Sequence, residues 1–409
     1  METILGPFSE FHVGSEVVTS DDDGRASSEE HITDNKLPSS VCTVMSNTDL
    51  LIEILLRLPV ISLLLFKSVS KHWLSLITSP NFTLRRSLIP NIDPPSGLFF
   101  RFPYQRDYLY DLIRLDIRLP ATSFRFETNL EGSNAYILQA CNGLLLCYVR
   151  PDKYYVCNPS INLFKMLPQC NDLSLEPSKI AGHMKMAFDP TKSPHYKVIH
   201  STIIGDDHFV SSIQIHTYSS QTRNWSSSLV CSDPIPMRPF LHFDDGIYWN
   251  DGIHWLTGFF AECLHYKLDI MNERPVLTTL QLSVNLDDEY PWNRKLFETR
   301  GCLLLLGMDG TRSQRLNIYE MRYGYSEWSF KYLVNLNDII MPFPEEWFIG
   351  SGVGCIALGE REEDSFMVLG LNGNVILYKI VSKTSRELPE LEPWSPVGSF
   401  LFTACFAGV

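Results

Sequence analysis

The chain has 409 residues, enough for roughly one to three domains, and its 44% hydrophobic, 20% charged and 12% aromatic residues exclude collagen-like, coiled-coil and wholly disordered classes. A formal net charge of −13 disfavours a nucleic-acid partner held through its phosphates. The charge is uneven: residues 1–35 carry nine acidic side chains against Arg25, whereas residues 36–90 carry six Lys or Arg against Asp49 and Glu53.

Residues 1–43 are rich in Ser, Asp, Glu and Gly, with too little periodic apolar surface to offset the entropy of ordering, and are expected to form a disordered acidic tail. The start has no basic segment followed by an apolar one, and no run approaches the roughly 18 apolar residues of a membrane span. Ten scattered cysteines form no C-x-x-C pair and no zinc-like spacing with histidine. Several alternate with apolar residues, as in Leu146-Cys147-Tyr148, and are expected to be buried strand thiols in a reducing compartment. The expected location is the nucleus and cytoplasm, with no membrane partner.

Residues 44–90 change character. Ser46 and Thr48 are candidate helix caps, and Leu50, Leu51, Ile54, Leu55 and Leu58 then recur at spacings of three and four. Pro59 ends this first helix, because proline has no N–H to donate and disfavours helix in the residue before it. Ser62 is expected to cap a second helix carrying Leu63, Leu64 and Phe66, and a third carries Val69, Trp73, Leu74 and Ile77 before Pro80. Three short helices in about 45 residues carry more large apolar side chains than so small a core hides. The surplus faces a protein partner or the rest of the chain.

The run Asp49-Leu50-Leu51-Ile52-Glu53-Ile54-Leu55-Leu56-Arg57-Leu58-Pro59-Val60, then Ser62-Leu63-Leu64-Leu65-Phe66-Lys67 and Val69-Ser70-Lys71-His72-Trp73, resembles an F-box of the large plant F-box family. Ser79-Pro80-Asn81-Phe82 follows in the family's order. The resemblance implies binding to a small Skp-type adaptor that docks on a cullin scaffold within a ubiquitin ligase. It places Leu50, Ile54, Leu55, Leu58, Pro59, Leu63, Phe66, Val69, Lys71 and Trp73 at positions that form the helical unit or its adaptor contact. The chain departs from the pattern at Ser46-Asn47, where the family opens with Leu-Pro, and at Ile61, often basic in the family. The competing reading makes residues 46–80 a helical cap on the following domain.

From residue 95 to 409 the apolar period becomes two, in short runs such as Gly97-Leu98-Phe99-Phe100, Asn142-Gly143-Leu144-Leu145-Leu146-Cys147 and Ile213-Gln214-Ile215-His216, separated by Gly, Pro, Asn and Asp. No stretch is periodic enough for crossover helices, which argues against a parallel α/β sheet. A weak repeat places Val156, Ile215, Leu268, Ile318 and Leu377 in equivalent positions, 59, 53, 50 and 59 residues apart. That spacing suits four-stranded, kelch-like blades and predicts about six of them. The expected fold is therefore α+β multidomain: a short three-helix module followed by an all-β propeller. The strand at Ser399 to Cys405 is expected to pair beside Gly97 to Phe102 and close the ring.

The β domain also resembles a family. Cys141-Asn142-Gly143-Leu144-Leu145, Cys157-Asn158-Pro159-Ser160 through Leu167-Pro168, and Ala187-Phe188-Asp189-Pro190 with Tyr196-Lys197-Val198 are similar to the F-box-associated domain of plants. Gly246 to Leu256, and Ile318-Tyr319-Glu320-Met321 with Trp328, are similar to its later signatures. Together the resemblances imply a substrate receptor of an SCF-type ubiquitin ligase that captures an unknown target protein. The alternative is a non-ligase propeller scaffold with weakened or lost cullin recruitment, and a third reading, a propeller enzyme, requires a cofactor.

Nothing in the sequence points to catalysis, a metal or a cofactor. The run Gly350-Ser351-Gly352-Val353-Gly354-Cys355 lacks the third glycine and the helix of a nucleotide-binding loop, and is read as a β-turn or bulge. His242, Asp244 and Asp245 fit a polar loop. Trp225, Trp255 and Trp328 are assigned to core packing, whereas Tyr104, Tyr108, Tyr110, Trp249, Trp292 and Trp347 fall in expected loops, where such side chains serve equally as interface anchors or as packing.

Overall fold

The computed structural model describes residues 43–44, 46–89, 93, 95–104, 107–114, 135–149, 153–170, 184–205, 209–230, 235–236, 245–256, 262–268, 276–281, 294–308, 314–339, 341, 349–388 and 398–409. The expected acidic tail, apart from Thr43, lies outside these residues, as do His242, Asp244, Trp292, Trp347, Cys42 and Cys231.

Four helices open the described chain, one more than expected. Helix α1 (Thr48–Leu56) buries Leu51, Leu55 and Leu56 on one side. Helix α2 (Val60–Phe66) begins at Val60, directly after Pro59, two residues before the expected cap at Ser62. Its first N–H is held from far along the chain, by Asp93 Oδ1 at 2.7 Å, so a tertiary contact replaces the local serine. Helix α3 (Lys71–Thr78) is capped by Ser70, whose side chain accepts from the Trp73 N–H. Val69 lies just outside it. Helix α4 (Pro80–Ser87) is the unexpected one. Ser79 caps it by accepting from the Phe82 N–H, and Pro80 occupies the first turn. Proline there loses no intrahelical bond, so the residue that stops α3 also starts α4.

The rest is antiparallel β-structure, and in five of its sheets four consecutive strands pair in chain order as a meander. The first sheet holds β3 (Ala135–Cys141), β4 (Leu144–Val149), β5 (Lys153–Asn158) and β6 (Leu163–Met166). The second holds β7 (Met184–Ala187), β8 (Lys197–Gly205), β9 (Phe209–Ser219) and β10 (Asn224–Val230), with β11 (Ile235–Pro236) added beside β9. The third holds β12 (Ile247–Trp249), β13 (Gly252–Leu256), β14 (Glu262–Lys267) and β15 (Val276–Gln281). The fourth holds β16 (Arg294–Thr299), β17 (Cys302–Met308), β18 (Arg315–Arg322) and β19 (Ser329–Asn335). After the short helix α5 (Ile349–Gly352), the fifth holds β20 (Val353–Ala357), β21 (Phe366–Leu371), β22 (Asn374–Lys379) and β23 (Thr384–Glu387).

Where about six four-stranded blades were expected, the described residues form five such meanders and one three-stranded sheet. That sheet joins the two ends of the β region: β1 (Gly97–Tyr104) lies between β2 (Asp107–Arg114) and β24 (Gly398–Phe402), with Phe99 opposite Phe400 and Leu98 opposite Leu401. The expected pairing of the two segments is thus present, and the chain leaves the sheet at Thr403. Strands β3, β7, β12, β16, β20 and β24 each lie against the next, and β24 lies against β3, so the sheets form a closed propeller-like ring.

The repeat read from the sequence falls in register with this ring. Val156, Ile215, Ile318 and Leu377 lie in β5, β9, β18 and β22, each the third strand of its sheet, and Leu268 directly follows β14, the third strand of its own. Trp255 is fully buried, and Trp225 and Trp328 pack on the cores between sheets. Trp249 is also buried, donating its indole N–H to Gly301 O at 2.8 Å, so it is a core residue and no loop anchor. Tyr104, Tyr108 and Tyr110 lie in β1 and β2. Cys141, Cys147, Cys157, Cys263 and Cys355 are buried free thiols. The glycine run around residue 352 ends α5, and the β20–β21 register shifts between Val353 and Cys355, a bulge at Gly354.

Asn142 and Gly143 join β3 to β4 with φ of 46° and 87°, the left-handed pair that a two-residue hairpin requires. A Cβ at Gly143 would stand 2.5 Å from Cys405 Sγ and 2.6 Å from Thr403 O. Gly143→Ala is therefore expected to cost about 2 kcal/mol in a denaturant titration, through strain and displacement together.

Candidate functional site

The helical module has an inner and an outer apolar surface. Leu55 and Leu63 are 0% exposed and pack with Leu51, Leu56, Ile77 and Phe82. Leu58, Phe66 and Trp73 close this cluster at its edge, with the Phe66 and Trp73 rings 5.2 Å apart in edge contact. Of the ten residues assigned to the module or its adaptor contact, these five build the module, and Leu55 and Leu63 present nothing to a partner. The half-buried Pro59 forms the corner between α1 and α2. The outward set is Leu50, Ile54, Val69 and Lys71, with Leu50 at 45%, Ile54 at 47% and Val69 at 59% exposure. Leu50 and Ile54 lie four apart on α1 and so share one stripe. Leu65 and Leu74, on α2 and α3, add further exposed apolar surface.

A polar clamp closes the α1–α2 corner. Arg86, almost fully buried, donates from Nε and Nη2 to Leu58 O at 3.2 Å and from Nη2 to Asp93 Oδ2 at 2.6 Å. The other oxygen of Asp93 receives the Val60 N–H. One ion pair therefore fixes the end of α1, the start of α2, α4 and the chain leading into β1. Burial pushes the Asp93 carboxyl above its ordinary range, against the opposing pull of Arg86 and the Val60 N–H. The outer face of α2 is not free: Val60, Ile61 and Leu64 pack on Phe99, Ile137, Leu145 and Phe402 of the ring. The module is thus both a cap on the ring, as one reading of the sequence held, and the bearer of an exposed apolar stripe.

The inner strands enclose a channel of about 890 Å³, to which Val60, Arg86 and Asp93 of the clamp also contribute. Beside it, Lys192 Nζ lies 2.7 Å from Asp251 Oδ2 and 3.8 Å from Asp189 Oδ2, and 5.4 Å from the centre of the Tyr323 ring. Glu298, surrounded by protein but open to the channel, has its carboxyl raised to about 7 by desolvation, which the Gly301 N–H at 3.1 Å opposes and nearby Asp189 reinforces. Tyr323 and Tyr325, in the turn between β18 and β19, are 64% and 70% exposed. Side chains of this type are favoured interface anchors. Among the described residues no cluster of three or more His, Cys, Asp or Glu is placed to hold a metal ion.

The F-box domain model matches residues 47–85, the span of α1 to α4 almost in full. F-box protein At5g07610 of Arabidopsis thaliana is 31% identical over 384 residues, which cover 86% of this chain and 87% of that one. The chain belongs to the F-box protein family. A second relative, F-box protein At5g03970 of Arabidopsis thaliana, is 28% identical over 252 residues, covering 56% of this chain and 57% of that one. Among solved structures, YCF48 from Cyanidioschyzon merolae is similar at a TM-score of 0.35 and 9% identity over 75% of this chain and 88% of that one, a likeness too loose to carry an argument. F-box family proteins are generally substrate-adaptor subunits of SCF ubiquitin ligases and not enzymes. The chain therefore pairs an F-box domain with a distinct propeller-like β domain.

Sequence reasoning missed Arg86 and Asp93, whose roles arise from contacts across the module, and Glu298. The Ser79-Pro80 pair was the available signal for α4.

Proposed function

We propose that this F-box protein is the target-recognition subunit of an SCF-type ubiquitin ligase in the nucleus and cytoplasm, its F-box binding a Skp-type adaptor and, through it, a cullin. The ring, counted as six kelch-like blades with the three-stranded sheet as the sixth, holds the target protein. The observation that carries the reading is the outward apolar set of Leu50, Ile54 and Val69 on a module whose inner core and whose α2 face toward the ring are already covered. The mechanism is proximity: a tethered target meets a ubiquitin-loaded partner at high effective concentration, and the partners supply the chemistry.

Co-purification of the full chain with adaptor and cullin tests this. The double substitution Leu50→Asp with Ile54→Asp removes two half-exposed apolar contacts and puts charges in their place. It is expected to cost about 3 kcal/mol of adaptor affinity, on the order of 100-fold, with an unchanged melting temperature. Equal adaptor binding by wild type and variant sinks the assignment of this face. Adaptor binding without cullin recruitment favours the scaffold alternative.

A further inference from the structure

Beyond β24 the chain does not end at the sheet but runs back between ring and helices, and each of its residues from Ala404 to Ala407 is held. Ala404 N–H donates to Ser96 Oγ at 3.0 Å and Cys405 N–H to Ser160 Oγ at 3.0 Å. Asn158, completely buried, donates from Nδ2 to Cys405 O at 3.2 Å and Ala407 O at 2.7 Å, while its Oδ1 accepts the Ser160 N–H. The bare surface of Gly143 is what lets Thr403 and Cys405 approach the β3–β4 turn. This segment presents Phe406, whose side chain packs at once on the helical core of Leu51, Leu55 and Leu63 and on the ring core of Phe99 and Phe402. The Lys67 ammonium, at the end of α2, stands 4.9 Å from the centre of the Phe406 ring, within reach of a cation–π attraction.

We propose that residues 403–407 are a strap that supplies the last wall of the F-box core, making the fold of the helical module conditional on closure of the ring. Four short helices in about 45 residues bury too little surface for comfortable stability alone, and the side chain that completes their core arrives from a position some 320 residues later. The hydrogen bonds that position Phe406 come from Ser96, Asn158 and Ser160, which are brought to one place only when β24 has paired with β1 beside the first sheet. An open ring therefore leaves the helices without their wall. The strap also lines the channel, so the module and the channel share one set of residues. The consequence for ligase assembly rests on the adaptor-binding reading above, and the strap's role in folding does not.

The test is amide hydrogen exchange of the full chain as wild type, Phe406→Ala and Phe406→Leu, with adaptor affinity measured on the same samples. Phe406→Ala is expected to speed exchange in α1 to α4 at least tenfold, to leave β16 to β19 unchanged, and to weaken adaptor binding at least tenfold. Phe406→Leu, which keeps most of the volume, is expected to exchange like wild type. Ser160→Ala frees the strap at Cys405 without touching any core side chain and is expected to give a smaller acceleration confined to the same helices. Unchanged helical exchange in Phe406→Ala overturns the proposal, as does an acceleration spread equally over helices and ring. If the wild type fails to bind adaptor, the adaptor reading falls while the exchange pattern still decides the strap.

Discussion

Arg86→Ala is expected to lower the stability of the helical module by about 3–5 kcal/mol, because the guanidinium pairs with the Asp93 carboxylate, which stays behind in the interior when its partner is removed. The substitution also leaves Leu58 O without the two donors it has now. The pH dependence follows from Asp93. Its folded-state carboxyl already lies above the ordinary value, and loss of Arg86 removes the attraction that holds it down, raising it further. A carboxyl raised in the folded state costs stability where it is charged and ceases to do so as it is protonated. The deficit of Arg86→Ala relative to wild type is thus expected to be largest above neutral pH and to shrink as pH falls toward the ordinary aspartate range. Urea titrations of both proteins at pH 8 and pH 5 measure this. Adding Asp93→Asn to Arg86→Ala is expected to recover part of the loss at pH 8, and a double variant no more stable than Arg86→Ala would show that the stranded charge is not the cause.

How much of this was legible beforehand depends on how far apart the interacting residues are. The third-strand anchors Val156, Ile215, Ile318 and Leu377 were found because alternation within a strand and repetition between sheets are both local patterns. The ring closure was legible for a related reason: an apolar C-terminal strand and an apolar first strand each need a partner. The fourth helix was hidden by treating Pro80 only as a stop, although Ser79 before it is a capping residue. Arg86, Asp93 and Phe406 were beyond reach, since a basic residue in a helix, an aspartate before prolines and a phenylalanine near the end of the chain carry no mark of their partners. Glu298 has its carboxyl raised chiefly by burial in the assembled ring, with a smaller contribution from Asp189, over a hundred residues away.

The same limit decides which leucines face outward. Periodicity placed Leu50, Leu51, Ile54 and Leu55 on a helix, but two adjacent apolar stripes, one set of positions ahead of the other, look alike in sequence. Packing separates them: Leu55 lies in the core with Leu51, Leu63 and Phe82, while Leu50 and Ile54 face out. Leu55→Asp is therefore expected to unfold the module, at a cost of about 4 kcal/mol or more from lost packing and an unpaired buried carboxylate. Ile54→Asp, one residue earlier, is expected to leave the fold intact and affect only adaptor binding. On the proposed adaptor reading both variants are expected to lose the adaptor, so binding alone does not distinguish them. Limited proteolysis does: Leu55→Asp is expected to be cleaved within α1 to α4 while the ring survives, and Ile54→Asp to resist like wild type. Cleavage of Ile54→Asp in the helices would place its side chain in the core, and the outward stripe would then have to be sought on Val69, Leu65 and Leu74 instead.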